Sequence, residues 1–428
     1  MSAHFIQNYD KLNSNPHREI VLEMIEKAFA AVSPQEVLKK DFTLDGDILT
    51  IQKKKHDLSK YKRIFVVGFG KGSAGNAKVV EDVLGSKLTK GYVNDVVDDV
   101  HFKKLVYTKG THPLPSQANF DFTNTVIKQL QDTTEDDLVI VITCGGGSVL
   151  FEAPNMLSLA QMTEVNKALL KSGANITEMN VIRKHLSRVK GGGFAKIVHP
   201  ATVVNLIFSD VPGNDLSVIA SGPLVKNHST MADVRRIQKK YELDTKVTID
   251  PKAFSATPTD PKYYKKVSNL LIVSNHNALT AMEKYAAEKG IAVHVMTDRL
   301  QGDAHKLGKQ LIDEALPGEI LLAAGESTIK VKGKGKGGRN QALVLSALKH
   351  ITGETVLASF GTDGWDFYKL AGAIADKDTK YKMKHLGIKA EPFIKDDNSY
   401  EFWTIMHDGI NTGHLNSNVA DLYIVYKP

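Results

Sequence analysis

Cysteine is nearly absent from this chain. Cys144 is the single thiol in 428 residues, so no intramolecular disulfide framework can form, and a reducing, cytoplasmic setting is expected. Long apolar runs are missing too. The opening MSAHFIQNYDKLNSN has no apolar core of signal-peptide length, and no uninterrupted run elsewhere could span a bilayer. There is no His/Cys metal spacing and no G-x-S-x-G elbow, which removes zinc chemistry and serine hydrolysis. The formal charge of +7 is too dilute to argue for nucleic acid, yet it suits an enzyme whose ligands are anions. Neither a nucleic-acid nor a membrane partner is expected, and assembly as a homodimer is left open.

What is present is the composition of an ordinary globular protein, 42% hydrophobic and 24% charged, with length enough for two domains. An opening helix is expected over REIVLEMIEKAFAAV, with Pro34 beyond its end. Short apolar, β-branched runs then alternate with helix-like segments. The clearest are 64–70, 137–147, 203–210, 269–275, 292–298, 319–326 and 355–364. This pattern predicts an α/β fold with two unlike domains and mostly parallel sheets flanked by helices. Two prolines in SATPTDPKYYKK interrupt the alternation, so the domains are placed at 1–262, Rossmann-like, and 263–428. A hairpin is expected in STIKVKGKGKGG, with its lysines on a mobile basic loop.

Ligands in open α/β sheets bind beyond the carboxyl ends of the strands. The first strong strand ends in GFGKGSAG, where Gly70, Gly72 and Ser73 surround Lys71. A glycine loop opening a helix offers N–H groups to an anion, and the lysine adds a point charge. It is not a P-loop, because Gly72 stands where the Ser/Thr belongs. It does match G-x-G-x-x-G, with Asp95 roughly where a ribose-binding acid would stand. A second loop, Gly145, Gly146, Gly147 and Ser148, follows Cys144 and lets the backbone approach a bulky anion. VIRKHLSRVKGGG reads as a helix with Lys184, His185 and Arg188 on or near one basic side. Arg339 stands where the basic turn becomes a helix, positioned to fork onto a phosphate or carboxylate. Asp210, Asp298, Glu326, Asp363 and Asp366 close strands, as oxygen ligands of a Mg²⁺–nucleotide site would. Each also has a plain structural reading, as a helix cap, a turn or a solvated charge.

Together these segments resemble the type II glycerate kinases, the glycerate 2-kinase family with a C-terminal MOFRL domain. The resemblance runs from about Phe65 to Val425. It rests on HLSRVKGG with SDVPGNDLSVIASGP, GGGS near an Ala-Pro, THPLPSQA, GEST with GKGKGGRNQ, GTDG with AGAIAD, and the closing TGHLNSNVADLYIV. It implies an ATP- and Mg²⁺-dependent kinase acting on the 2-hydroxyl of glycerate, with its active site in an interdomain cleft. The family's proposed catalytic lysine and arginine fall on Lys71 and Arg339. Where the family often reads G-x-D-G-x-D-G-P-T-D-A-A-G, this chain has Phe367 for the third glycine and Tyr368-Lys369-Leu370 next.

Phosphoryl transfer needs positioning and charge neutralisation more than covalent help. The expected division of labour gives donor phosphates to Lys71 and both glycine loops, and the developing charge to Arg339. Asp210 orients or deprotonates the acceptor hydroxyl, Glu326 and Asp363 serve Mg²⁺, and His185 and Arg188 hold the substrate carboxylate. The rival enzyme is an NAD(P)-dependent hydroxypyruvate reductase using GKGSAG. A rival of another class is a non-catalytic nucleotide- or sugar-phosphate-binding regulator.

Overall fold

The computed structural model describes residues 4–428 and divides into two compact units. Gln35–Ile272 forms one; the chain through Pro34, joined by Val273–Pro428, forms the other. The expected 262/263 division lies ten residues before this one, and it leaves the opening helix on the wrong side.

In the Gln35–Ile272 unit, β1 (Phe42–Asp45), β2 (Ile48–Ile51) and β3 (Lys54–Asp57) make a small antiparallel sheet. The main sheet holds β4 (Arg63–Phe69), β5 (Lys90–Asp95), β6 (Leu105–Lys109), β7 (Asp137–Thr143), β8 (Thr202–Phe208) and β9 (Val267–Val273), in the order β6-β5-β4-β7-β8-β9. From β6 through β8 every pairing is parallel. All seven residues of β7 are buried, as a continuous apolar run covered on both faces requires. The chain builds outward from β4 through β5 and β6, then returns to lay β7 on the other side of β4. The carboxyl ends of β4 and β7 therefore meet at a topological switch point, where loops diverge and leave a crevice.

The second unit has a mixed sheet, which corrects the expectation of mostly parallel strands in both domains. Its strands are β10 (Ala292–Asp303), β11 (Glu319–Thr328), β12 (Val356–Gly361), β13 (Gly372–Ala375), β14 (Gly409–Ile410) and β15 (Asp421–Lys427), ordered β10-β11-β15-β12-β13-β14. Only β10 and β11 pair in parallel. The terminal strand β15 inserts antiparallel between β11 and β12, so those two point the same way and end on the same edge as the start of β15. The hairpin expected after β11 does not form. Instead Lys332 and Gly333 donate N–H groups to Asp397 Oδ2 at 2.6 and 2.7 Å, and Lys334 to Asp396 Oδ1 at 3.1 Å. Side chains, not a partner strand, pin the basic loop.

The opening helix, Pro16–Ala31, belongs here for a physical reason. Asn15 caps it by accepting the His17 and Arg18 N–H groups, and Pro16 sets its first turn. Val21, Leu22, Ile25 and Phe29 are buried, and the Phe29 ring meets Phe360 of β12 edge-on at 5.2 Å. Arg18 is completely buried, with Nε 2.8 Å from Asp376 Oδ2 and Nη1 2.8 Å from Asp408 Oδ1. No sequence pattern predicts a buried arginine in a helix that otherwise reads as amphipathic. Among the described residues no helix is long and apolar enough to cross a membrane.

Burial alone would raise the Asp376 pKa, but the Arg18 guanidinium outweighs it and holds the carboxyl below the ordinary value. A lowered native pKa adds stability above the unfolded aspartate value, about 3.9, and that stability is lost as pH falls through the native value. Arg18→Met should cost about 3–5 kcal/mol in denaturant unfolding at pH 7, since two carboxylates lose their buried partner. The variant should also lack this part of the acid loss seen in the parent. A change within about 0.5 kcal/mol would show that the pair contributes no more than a surface contact.

Candidate active site

The GFGKGSAG loop has already used its backbone donors. Gly70 N–H donates to Asn94 O at 3.2 Å, Lys71 N–H to Gly145 O at 2.8 Å, and Ser73 N–H to Gly70 O at 3.1 Å. The Ser73 hydroxyl donates to Asn94 O at 3.1 Å. Ala74 N–H donates to Asp95 Oδ2 at 3.0 Å, and the Gly72 N–H also serves Asp95. Asp95 is fully buried; burial raises its pKa against the pull of these N–H groups and of Lys71. The acid placed by sequence on a ribose is thus the anion on this helix N-terminus. Gly70, Gly72 and Ser73, expected as phosphate contacts, have no donor left for one. Gly70 has a tighter role: its φ is +107°, and a Cβ would stand 2.4 Å from Cys144 O. What the loop presents to solvent is the exposed Lys71 side chain.

The second glycine loop is different. Cys144 N–H donates to Phe69 O at 3.0 Å and Gly147 N–H to Cys144 O at 3.2 Å, but among the described residues no backbone carbonyl takes the N–H of Gly145, Gly146 or Ser148. Each glycine admits a different neighbour. A Cβ at Gly145 would lie 2.2 Å from Asp210 Oδ2, one at Gly146 2.9 Å from His112 Cδ2, and one at Gly147 2.9 Å from Ala220 Cβ. The Ser148 and Ser221 hydroxyl oxygens are 2.9 Å apart. Ala220 and Ser221 both hold left-handed backbone, φ +49° and +60°, a strain of the kind that clusters at functional sites. Lys71, His112, Asp210, Ser148 and Ser221 therefore gather around one loop, where partial burial first and then Lys71 depress the His112 pKa. Burial pushes the Cys144 thiol well up, so it is no nucleophile.

The helix read over 181–193 ends at His185, and this moves two expected substrate contacts. His185 is buried, its Nδ1 2.8 Å from Ser255 O and its Nε2 3.2 Å from Ser229 Oγ, so both ring nitrogens serve the packing of this unit. Lys184, expected on a basic face, is buried as well. Arg188 is exposed with Nη1 3.3 Å from Asn124 Oδ1. After the helix, Ser187 donates to Glu152 Oε1 at 2.6 Å and the buried Lys190 ammonium pairs with Glu152 Oε2. Burial brings the Lys190 pKa down to about 7.

The mixed-sheet unit gathers a second group where β11, β15 and β12 share an edge. Asp421 pairs in register with Gly325 on one side and Gly361 on the other; a Cβ at Gly361 would stand 3.6 Å from Asp421 Oδ1, whereas one at Gly325 would strike the Leu300 backbone. Arg339 opens the helix Arg339–Ala347 and forks onto Asp421, Nε to Oδ2 at 2.6 Å and Nη2 to Oδ1 at 3.2 Å. Its Nη1 donates to the exposed Glu326 Oε1 at 2.6 Å. Burial works against the guanidinium charge, but the two carboxylates outweigh it and raise the pKa. Asp363 Oδ1 accepts the Trp365 N–H at 3.0 Å, and it would lie 3.1 Å from a Cβ at Gly361. Asp366 is buried and accepts the Asn340 and Gln341 N–H groups at 3.2 and 2.9 Å, capping the arginine's helix; burial lifts its pKa to about 7. Among the described residues no three His, Cys, Asp or Glu side chains converge to hold a metal. Glu326 is paired with Arg339, and Asp363 accepts the Trp365 N–H within its own loop. Asp421 and His112 were missed as site residues. Both lie in quoted motifs, but their role is set by what packs against them.

A model described as a domain of unknown function, DUF4147, matches residues 20–253, and the MOFRL family model matches residues 319–421. The chain is 34% identical to a protein named D-glycerate 2-kinase from Thermotoga maritima, over 95% of this chain and 97% of that one. It is 32% identical to a glycerate 2-kinase from Pyrococcus horikoshii, over 95% and 96%. The chain belongs to the glycerate 2-kinase family. A crystal structure of glycerate kinase from T. maritima superposes with a TM-score of 0.84 at 33% identity, covering 96% of this chain and 99% of that chain. Another relative, from Agrobacterium vitis, is named a putative hydroxypyruvate reductase, at 34% identity over 84% of this chain and 98% of that one.

In this family member the helix that a dinucleotide pyrophosphate would need carries Asp95 instead. NADH should therefore show no saturable fluorescence change on titration with the protein, and hydroxypyruvate should not drive NADH oxidation. Asp95→Ala should lower stability by about 0.5–2 kcal/mol through the lost cap, without creating NADH binding. Saturable NADH binding by the parent would mean that Asp95 yields its place to a cofactor phosphate.

Proposed function

We propose that the chain is an ATP-dependent kinase that phosphorylates the 2-hydroxyl of D-glycerate to give 2-phosphoglycerate. The observation that carries this reading is the Gly145–Ser148 loop at the β4/β7 switch point. Three of its N–H groups lie outside the backbone hydrogen-bond network, with Lys71, Asp210 and His112 around them. Preorganised N–H dipoles and an ammonium suit a triphosphate, whose transfer is assisted chiefly by charge neutralisation. Lys71 is assigned to the donor phosphates. Gly145, Gly146 and Ser148 offer them backbone N–H groups, and Gly147 contributes the close approach.

Asp210 is assigned to the acceptor hydroxyl, which it orients as a hydrogen-bond acceptor. Arg339 supplies the second positive charge; Asp421 holds its fork while Glu326 sits exposed as a replaceable partner. An arginine is suited to exchanging one carboxylate for a phosphoryl oxygen while its other edge stays fixed. Arg188, exposed, is available to a substrate carboxylate; His185 is reassigned to packing. Mg²⁺ is expected to arrive on the nucleotide's phosphates, the common mode for this ion, and no step is routed through a protein metal cage.

Purified protein with MgATP and D-glycerate should form ADP and a phosphate monoester on carbon 2, located by ³¹P–¹H NMR. Related hydroxy acids run in parallel test whether Phe367 to Leu370 change the preference. Lys71→Ala should lower kcat by about 10²-fold or more, as for the loss of one electrostatic stabiliser, while Tm barely moves because the side chain is exposed. Near-parental turnover in the variant would return Lys71 to a solvated turn residue.

A further inference from the structure

The His112 imidazole stands against the glycine loop and has no role in this scheme. We propose that His112 is a further catalytic residue that takes the proton from the acceptor hydroxyl. The assignment rests on the kinase reading above. His112 lies on the face of the Gly145–Ser148 loop, with Cδ2 2.9 Å and Nε2 3.1 Å from where a Cβ would stand on Gly146. Only a glycine lets the ring come this close. No hydrogen bond to another described residue occupies either ring nitrogen, and the residue is exposed. His185 gives the contrast, with both of its nitrogens bound inside the fold.

Charge around the ring favours the neutral imidazole. Partial burial of the ring against the loop lowers the His112 pKa although the residue as a whole stays exposed, and Lys71 lowers it further. The other charged groups are Asp210, whose carboxylate presses on the adjacent Gly145, and Glu152, Lys167 and Arg183, which line the pocket beyond Pro113 and Ser148. A neutral imidazole at pH 7 is a proton acceptor, and imidazole is the side chain whose ordinary pKa lies nearest neutrality. In the step, the bond from the acceptor oxygen to the γ-phosphorus forms. The bond from that phosphorus to the β,γ-bridging oxygen breaks, and the nucleoside diphosphate leaves with the bridging electron pair. The hydroxyl proton passes to an imidazole nitrogen of His112 and from there to water. Asp210 then orients the hydroxyl without having to keep the proton.

The experiment compares the full-length parent, His112→Gln and His112→Asn with MgATP and D-glycerate between pH 5 and 9. The parent's kcat/KM for D-glycerate, which reports the free enzyme, should fall on the acid side through a pKa below the ordinary imidazole value of about 6.5. Both variants should lose about 10²–10⁴-fold in kcat with little change in the KM for ATP, and their acid limb should disappear. Unchanged melting temperatures exclude a folding defect, and if one variant fails to fold the other decides. A kcat within about threefold of the parent in a folded variant, or an acid limb that survives the substitution, overturns the assignment. A parent that phosphorylates neither glycerate enantiomer overturns the kinase reading on which it rests, a result separable from the first two because no variant enters it.

Discussion

Two backbone hydrogen bonds tie the carboxyl ends of the adjacent strands β4 and β7: Cys144 N–H to Phe69 O at 3.0 Å, and Lys71 N–H to Gly145 O at 2.8 Å. The second spends the Lys71 amide, but it fixes the lysine's Cα beside the glycine loop. Gly70 is then obligatory, because any Cβ there would strike Cys144 O. With the first loop locked in this way and its helix N-terminus closed by Asp95, anion binding by backbone passes to the second loop. The two glycine-rich segments look interchangeable as sequence. Their hydrogen-bond accounting divides them into one that holds a lysine still and one that keeps its N–H groups available.

The strand-helix alternation was legible because the central strands are buried on both faces. β4, β7, β8, β11 and β12 read as continuous apolar runs, and each lies within a few residues of where the pattern places it. The four-residue strands of the small sheet, FTLD, ILTI and KKHD, were not legible, since their burial alternates or is partial and two of them carry charge. Nor was the direction of β15, because an apolar run states that a strand is buried but not which neighbours it pairs with. The unit boundary was misplaced for a similar reason. Arg18 and the apolar side of Pro16–Ala31 bind that helix to segments more than 350 residues away in sequence, such as Asp376 and Asp408.

Lys71, Arg339 and Asp210 could be singled out as candidates because charged residues at strand ends and glycine turns are seldom needed for packing. His185 misled because a helix was extended past its end. The helical stripe Ile182, Leu186 and Val189 is real as a burial pattern, yet Leu186 and Val189 lie beyond the helix, and Lys184, His185 and Ser187 turn inward while Arg188 stays exposed. His112 gave no signal of its own. It becomes visible only through Gly146, whose missing side chain is the space the ring uses.

Around Arg339 the same economy operates with side chains. Asp421 is buried, so its charge is tolerable only while the guanidinium stays, and the arginine is held through Nε and Nη2 whatever its Nη1 does. Its helix is held by Asp366, which accepts two N–H groups of the first turn. The loop that delivers Asp366 is strained: Phe367 and Lys369 adopt left-handed backbone, φ +59° and +48°, at a cost on the order of 1–2 kcal/mol each. A glycine at position 367 would avoid one of these costs. Here the strain is offset by closing bonds, Asp366 N–H to Leu370 O and Leu370 N–H to Tyr368 O, both at 2.7 Å, and by the cap itself. The Phe367 side chain is thrown into solvent, 69% exposed, which burial energetics would not select. A costly backbone and an exposed phenyl ring are what neither backbone preference nor burial would select, so this turn is held by the cap it delivers to the Arg339 helix.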